Sequence, residues 1–71
     1  MSAAIPKNRR ETIVIRKREL HGRHFLDLRV FFPGPDDEPR PSGKGLTVSL
    51  DKALDLADAI LRVAAQERVD D

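Results

Sequence analysis

LHGRHFLDLRVFF, Leu20 to Phe32, is the stretch on which the fold turns. It opens on His21-Gly22, a two-residue turn signal in which glycine supplies the positive φ of a tight hairpin. Upstream lies ETIVIRKREL, Glu11 to Leu20, β-branched at its start and strongly basic at its end. Downstream, His24 to Phe32 alternates between apolar and charged residues, the period of a half-buried strand. With His21-Gly22 as the whole turn, Leu20 pairs with Arg23 and the rest of the ladder follows. Arg16 then opposes Asp27, Ile15 opposes Leu28, and Ile13 opposes Val30.

This register sorts the side chains into two sets, and a slip by one residue would mix them. One face carries Ile13, Ile15, Leu26, Leu28, Val30 and Phe32, interrupted near the turn by Lys17 and Glu19. The other carries Val14, Arg16, Arg18, Leu20, Arg23, Phe25, Asp27, Arg29 and Phe31, with Arg16 and Asp27 placed for a cross-strand ion pair. Cations neutralise phosphates, and exposed rings offer stacking to unpaired bases. Arginines interleaved with phenylalanines are therefore what single-stranded nucleic acid requires of a binding face. Two other readings fit the same pattern. The face is a solvated one with rings half covered by arginine stems, or Phe25 and Phe31 are buried in a subunit contact.

The rest of the chain frames this hairpin. At 71 residues without cysteine, a single domain of 11–68 sits near the size where one core is marginally stable. No disulfide or thiolate zinc site can staple it, which makes self-association the natural extra source of stability. No apolar run approaches a membrane span, and MSAAIPKNRR lacks the apolar segment of a signal peptide. The expectation is a soluble, cytoplasmic protein with no membrane partner. Residues 1–44 hold ten Lys/Arg against six Asp/Glu, whereas residues 45–71 hold three against six. Such segregation places an anion-binding face in the first part and an outward-facing surface in the second.

Residues 1–10 read as a flexible basic arm and 69–71 as a flexible tail. PGPDDEPRP, 33–41, with its four prolines and one glycine, is expected to be neither helix nor central strand. KGLTVS, 44–49, reads as a short strand. From Leu50 to about Arg68 the period becomes helical, with Ser49 placed to cap the first turn. Strands followed by one helix indicate an α+β fold with an antiparallel sheet. On the helix, Leu50, Ala53, Leu54, Ala57, Ile60, Leu61 and Ala64 form the stripe expected to pack on the sheet. A second stripe, Leu56, Ala59 and Val63, is expected to meet another subunit. Acidic first turns suit the helix dipole and argue against this helix touching DNA.

Several chemistries are excluded by spacing. SGKG around Lys44 lacks the upstream glycine and following Ser/Thr of a phosphate-binding Walker loop. It leaves a lysine between two glycines, where exposed backbone at Gly45 can approach a phosphate. His21 and His24 have no third ligand nearby, so no metal site is expected. No nucleophile, base and oxyanion donor can be grouped, so neither catalysis nor a cofactor is expected.

HGRHFLDLRVFF and PSGKGLTV, in this order and followed by one amphipathic helix, resemble the positive cofactor four family of transcriptional coactivators. The resemblance runs from about Thr12 to Leu61. It implies a curved antiparallel sheet of about four strands followed by one C-terminal helix (ββββα), a homodimer, and binding of single-stranded or melted DNA. Carried over by position, the family's DNA-contacting residues fall on Arg18, Leu20, Arg23, Arg29, Phe32 and Lys44. Leu20 stands where members often have an aromatic. Phe32 matches a family tryptophan by count, whereas alternation puts Phe31 on the basic face; a bulge near the strand end would reconcile them. Lacking the Ser-rich segment of nuclear members, the chain looks like a compact bacterial relative. The expected partners are single-stranded nucleic acid, a second copy of the chain and the transcription machinery. The rival reading is a protein-interaction module whose basic face docks an acidic partner.

Overall fold

His21 and Gly22 both take positive φ, 52° and 78°, the pair of left-handed residues that matches the twist of a two-residue hairpin. In chain order the elements are β1 Ser2–Pro6, β2 Thr12–Leu20, β3 Arg23–Pro33, β4 Pro39–Ser49 and α1 Leu50–Ala64. The computed structural model describes residues 2–70; Met1 and Asp71, the ends of the expected arm and tail, lie outside the described residues. The four strands form one antiparallel sheet in the order β1-β2-β3-β4. The fold is ββββα: the hairpin and helix indicate its α+β class, and the family resemblance implies its four strands.

β2 and β3 pair in the expected register without interruption, from Leu20 opposite Arg23 to Thr12 opposite Phe31. The two faces are therefore sorted as alternation requires. Several expectations outside the hairpin are corrected. The segment read as a flexible arm supplies β1, pairing Ala4 with Val14 and Ile5 with Ile13. Its short, uncharged SAAIP sequence carries little periodicity, so only the partner strand reveals it. The β1–β2 connection is ordered by Asn8, whose side-chain oxygen accepts the Arg10 and Glu11 N–H groups at 3.0 and 2.8 Å.

The proline-rich stretch contains strand at both ends, since β3 runs to Pro33 and β4 starts at Pro39. β4 lies at the edge of the sheet, the one place where residues lacking an N–H donor interrupt no second ladder. The turn between them closes with Gly34 N–H donating to the Glu38 carbonyl at 2.9 Å. The helix ends at Ala64, short of Arg68. Ser49 stands at its N-cap position, yet its side chain makes no capping bond. Its hydroxyl instead lowers the Asp51 carboxyl below its usual range.

The helix also meets the sheet on a face rotated from that expected, which keeps Ala53 of the packing stripe and adds Leu56 and Ala59. It contacts β3 and β4, and its half-buried residues are Ala53, Leu56 and Ala59. Leu54 and Leu61, assigned to the packing stripe, are 82% and 69% exposed. Both stripes are apolar and lie roughly a quarter-turn apart, so amphipathicity alone does not choose between them.

Candidate nucleic-acid interface

Asp27 organises the basic face. It is 3% exposed, the one buried charged residue among those described. Its carboxylate accepts from Arg16 Nη2 across the ladder at 3.1 Å. Along its own strand it accepts from Arg29 Nη2 at 2.8 Å and Nε at 3.1 Å. The Arg29 contacts first, and then Arg16, hold this carboxyl below its ordinary range against the opposing effect of desolvation. The Arg16 pair follows from register. The Arg29 pair was legible in DLR, since residues two apart on a strand share a face, but the sequence reading missed it.

Arg29 also reaches the neighbouring strand, where Nη1 donates to the Ser42 carbonyl at 3.2 Å. The Ser42 hydroxyl donates to the Val30 carbonyl at 2.8 Å and accepts the Lys44 N–H at 3.0 Å. These bonds pin a bulge. β4 pairs Gly45 with Arg29 but Pro41 with Phe31, so Ser42, Gly43 and Lys44 together face Val30. The shift is of two residues, which keeps side chains on their own faces on either side of it. Gly45 lies tight against β3: a Cβ there would overlap the Leu28 carbonyl oxygen and crowd Arg29. Lys44, at the tip of the bulge, is exposed.

The bulge belongs to β4 and leaves the β2–β3 ladder intact, so it does not carry Phe32 to the basic face. Phe31 stays there, half-buried, with the Arg16 guanidinium 5.2 Å from its ring centroid, within cation–π range. Phe32 lies on the opposite face and is 41% exposed. Near the hairpin turn, Leu20, His21, Arg23, Phe25 and Thr47 line an open cavity of about 380 Å³. His24, which also lines it, has Nε2 3.5 Å from a Glu19 carboxylate oxygen.

The face thus holds two kinds of cation. Arg16 and Arg29 are committed to Asp27 and half-buried, whereas Arg18, Arg23 and Lys44 are exposed and have no ion pair among the described residues. Exposed cations adapt to a phosphate chain, while the Asp27-centred trio fixes the surface on which they stand. Helical residues Leu56, Ala59 and Val63 lie away from this set on α1; the first two are half-buried and Val63 is exposed.

An open antiparallel sheet with cations and rings on one face, followed by a single helix, defines a class: small open-sheet domains whose face is suited to nucleic acid. Within it, the family model described as Transcriptional Coactivator p15 (PC4) matches residues 4–59. The chain belongs to this family of DNA-binding, coactivator-like proteins, a nucleic-acid-binding and non-enzymatic family. Two solved structures are similar in fold. A PC4 homolog from Burkholderia pseudomallei is 20% identical, with a TM-score of 0.83 over 90% of this chain and 86% of that one. The bacteriophage T5 homolog of the eukaryotic transcription coactivator PC4, implicated in recombination-dependent DNA replication, is 18% identical. Its TM-score is 0.73 over 92% of this chain and 76% of that one. No curated protein matches the sequence.

Proposed function

We propose that the chain binds single-stranded or melted DNA as a homodimer, in a transcriptional coactivator-like role and without catalysis. The observation that carries this reading is the β2–β3 face, where Arg18 and Arg23 stand exposed beside Phe25 and Phe31 on a surface fixed by Asp27. Bases of a splayed strand stack on the rings while its phosphates meet the free cations, with Lys44 adding one contact from the bulge. A titration of labelled oligo-dT, matched duplex and RNA at two salt concentrations tests it. Tighter binding of the single strand, weakened by salt, supports the proposal. Equal binding of duplex and single strand favours a surface that docks any acidic partner.

Phe31 is the stacking residue in this reading. Phe31→Ala is expected to weaken single-strand binding by about 1–3 kcal/mol, the range for one lost stacked base, with a nearly unchanged salt slope. Phe32→Ala, on the other face, has the smaller effect on binding. Fluorescence anisotropy with oligo-dT at several salt concentrations measures both. A larger loss for Phe32→Ala would assign stacking to the opposite face.

Association is supported by the shape of the single chain. No hydrophobic residue is fully buried among those described. The radius of gyration is 14.3 Å, against about 11 Å for a compact chain of this length. The accessible surface is 6263 Å², against about 4,500 Å² for a compact monomer of this mass. Leu50, Leu54, Ala57 and Leu61 follow each other at alternating four- and three-residue spacing, the seam by which two helices pair, and all four are exposed. We therefore assign the helix-borne contact to this stripe, in place of the expected Leu56, Ala59 and Val63. Leu54→Asp or Leu61→Asp is expected to shift a dimer toward monomer, because pairing would bury an uncompensated charge. Sedimentation at micromolar concentration reads the change, and a wild-type monomer would count against the homodimer.

A further inference from the structure

Where the basic face ends, away from the hairpin turn, lies a smaller cavity of about 110 Å³, lined by Arg10, Thr12, Phe31, Phe32, Pro33, Asp37 and Pro39. Register puts four of these on the Phe31 side of the sheet. Thr12 opposes Phe31, Pro33 follows two residues later, and Pro39 opposes Pro33. The volume is well below the ~300 Å³ at which sites for drug-sized ligands begin. It suits one planar ring inserted from an open strand, laid against an aromatic and two proline rings.

The polar groups at its rim are unlike those elsewhere on the face. In the acidic turn, Asp36 is neutralised by Arg40 at 3.0 Å. Asp37 has no ion pair or side-chain hydrogen bond among the described residues, and neither has the Arg10 guanidinium. Both are exposed and line the cavity. A free carboxylate repels a phosphate chain, so at the rim of this cavity Asp37 suits a ligand group that donates hydrogen bonds. An ionised carboxylate has two acceptor oxygens and a guanidinium only donors. Among the bases, guanine alone offers two adjacent N–H donors, N1–H and the N2 amine, beside an acceptor, O6. Cytosine and adenine each present one exocyclic amine, and thymine one ring N–H.

We propose that this cavity is a guanine subsite, in which Asp37 accepts from N1–H and N2–H, Arg10 donates to O6, and Phe31 stacks on the ring. The inference rests on the reading of the face as a single-strand-binding surface and adds a base preference to it. The test uses oligo-dT, the same oligonucleotide with isolated dG substitutions, and a third in which inosine, lacking the N2 amine, replaces each dG. Wild-type protein is expected to bind the dG oligonucleotide about five- to tenfold tighter than oligo-dT, the low end for a bidentate base contact because Asp37 is exposed. Inosine is expected to lose most of that gain. In Asp37→Asn the ratio of dG to dT affinity falls toward one. Asparagine tolerates the left-handed backbone at this position (φ 64°), so the variant keeps the turn. Equal affinity of wild-type protein for dG and dT oligonucleotides overturns the subsite while leaving single-strand binding intact. So does a dG preference that survives in Asp37→Asn. Failure to bind any of the three overturns the subsite together with the function on which it rests.

Discussion

Gly45→Val is expected to destabilise the domain strongly. A Cβ at this position would overlap the Leu28 carbonyl oxygen and stand against the Arg29 backbone. Backbone cannot swing aside as a long side chain does, so β4 must part from β3 at the point where the bulge is pinned. The cost is placed at about 3 kcal/mol, the upper end for overpacking. For a domain of this size that is a large share of the total stability. Thermal unfolding followed by circular dichroism measures it. Gly43→Val is the internal control, since nothing lies within 4 Å of a Cβ built at Gly43. Equal destabilisation by the two substitutions would show that the close approach at Gly45 is not what limits the position.

Asp27→Asn should be the second most damaging change, lowering stability by about 2–3 kcal/mol. Breaking one partner of a fully buried ion pair costs about 3–5 kcal/mol; the smaller figure applies because a single sheet layer keeps water close to the trio. The same carboxylate makes folding sensitive to acid. Its folded pKa lies below the ordinary value, chiefly through Arg29 and then Arg16. Its contribution is therefore fully present above the unfolded pKa of about 3.9. It is lost as pH falls through the lower folded value. Wild-type protein should lose stability as pH drops below about 4, and Asp27→Asn should show a shallower decline there. Denaturant titrations between pH 2 and 7 give both curves. Parallel curves would mean that Asp27 is not the group whose protonation destabilises the fold.

These two positions also divide what each level of description decides. The hairpin is local. His21-Gly22 sets the turn, the turn sets the register, and a period of two then assigns every β2 and β3 side chain to a face. Arg16 opposite Asp27 and Phe31 beside Arg29 follow from that arithmetic, and the structure keeps both. The family resemblance selected Phe32, and the uninterrupted ladder leaves it on the other face. A β4 bulge elsewhere in the sheet does not alter β2–β3 pairing.

What the sequence by itself determined is thus the hairpin and its faces, the single helix after the strands, and one cation-rich face bearing aromatic rings, because each depends on neighbours a few residues apart. Tertiary structure alone decided the remainder. SAAIP became a strand because β2 offered it a free edge, and prolines entered β4 because that strand lies at the other edge. The helix turned Ala53, Leu56 and Ala59 toward the sheet and left Leu54 and Leu61 outside. Two apolar stripes a quarter-turn apart are equivalent to periodicity, and only docking on β3 and β4 distinguishes them. Likewise, Arg29 reads in sequence as one more free cation. Its pairing with Asp27 is local, two residues along one strand face, but its hold on the Ser42 carbonyl arises only when β4 folds back beside β3, a contact that no local rule contains.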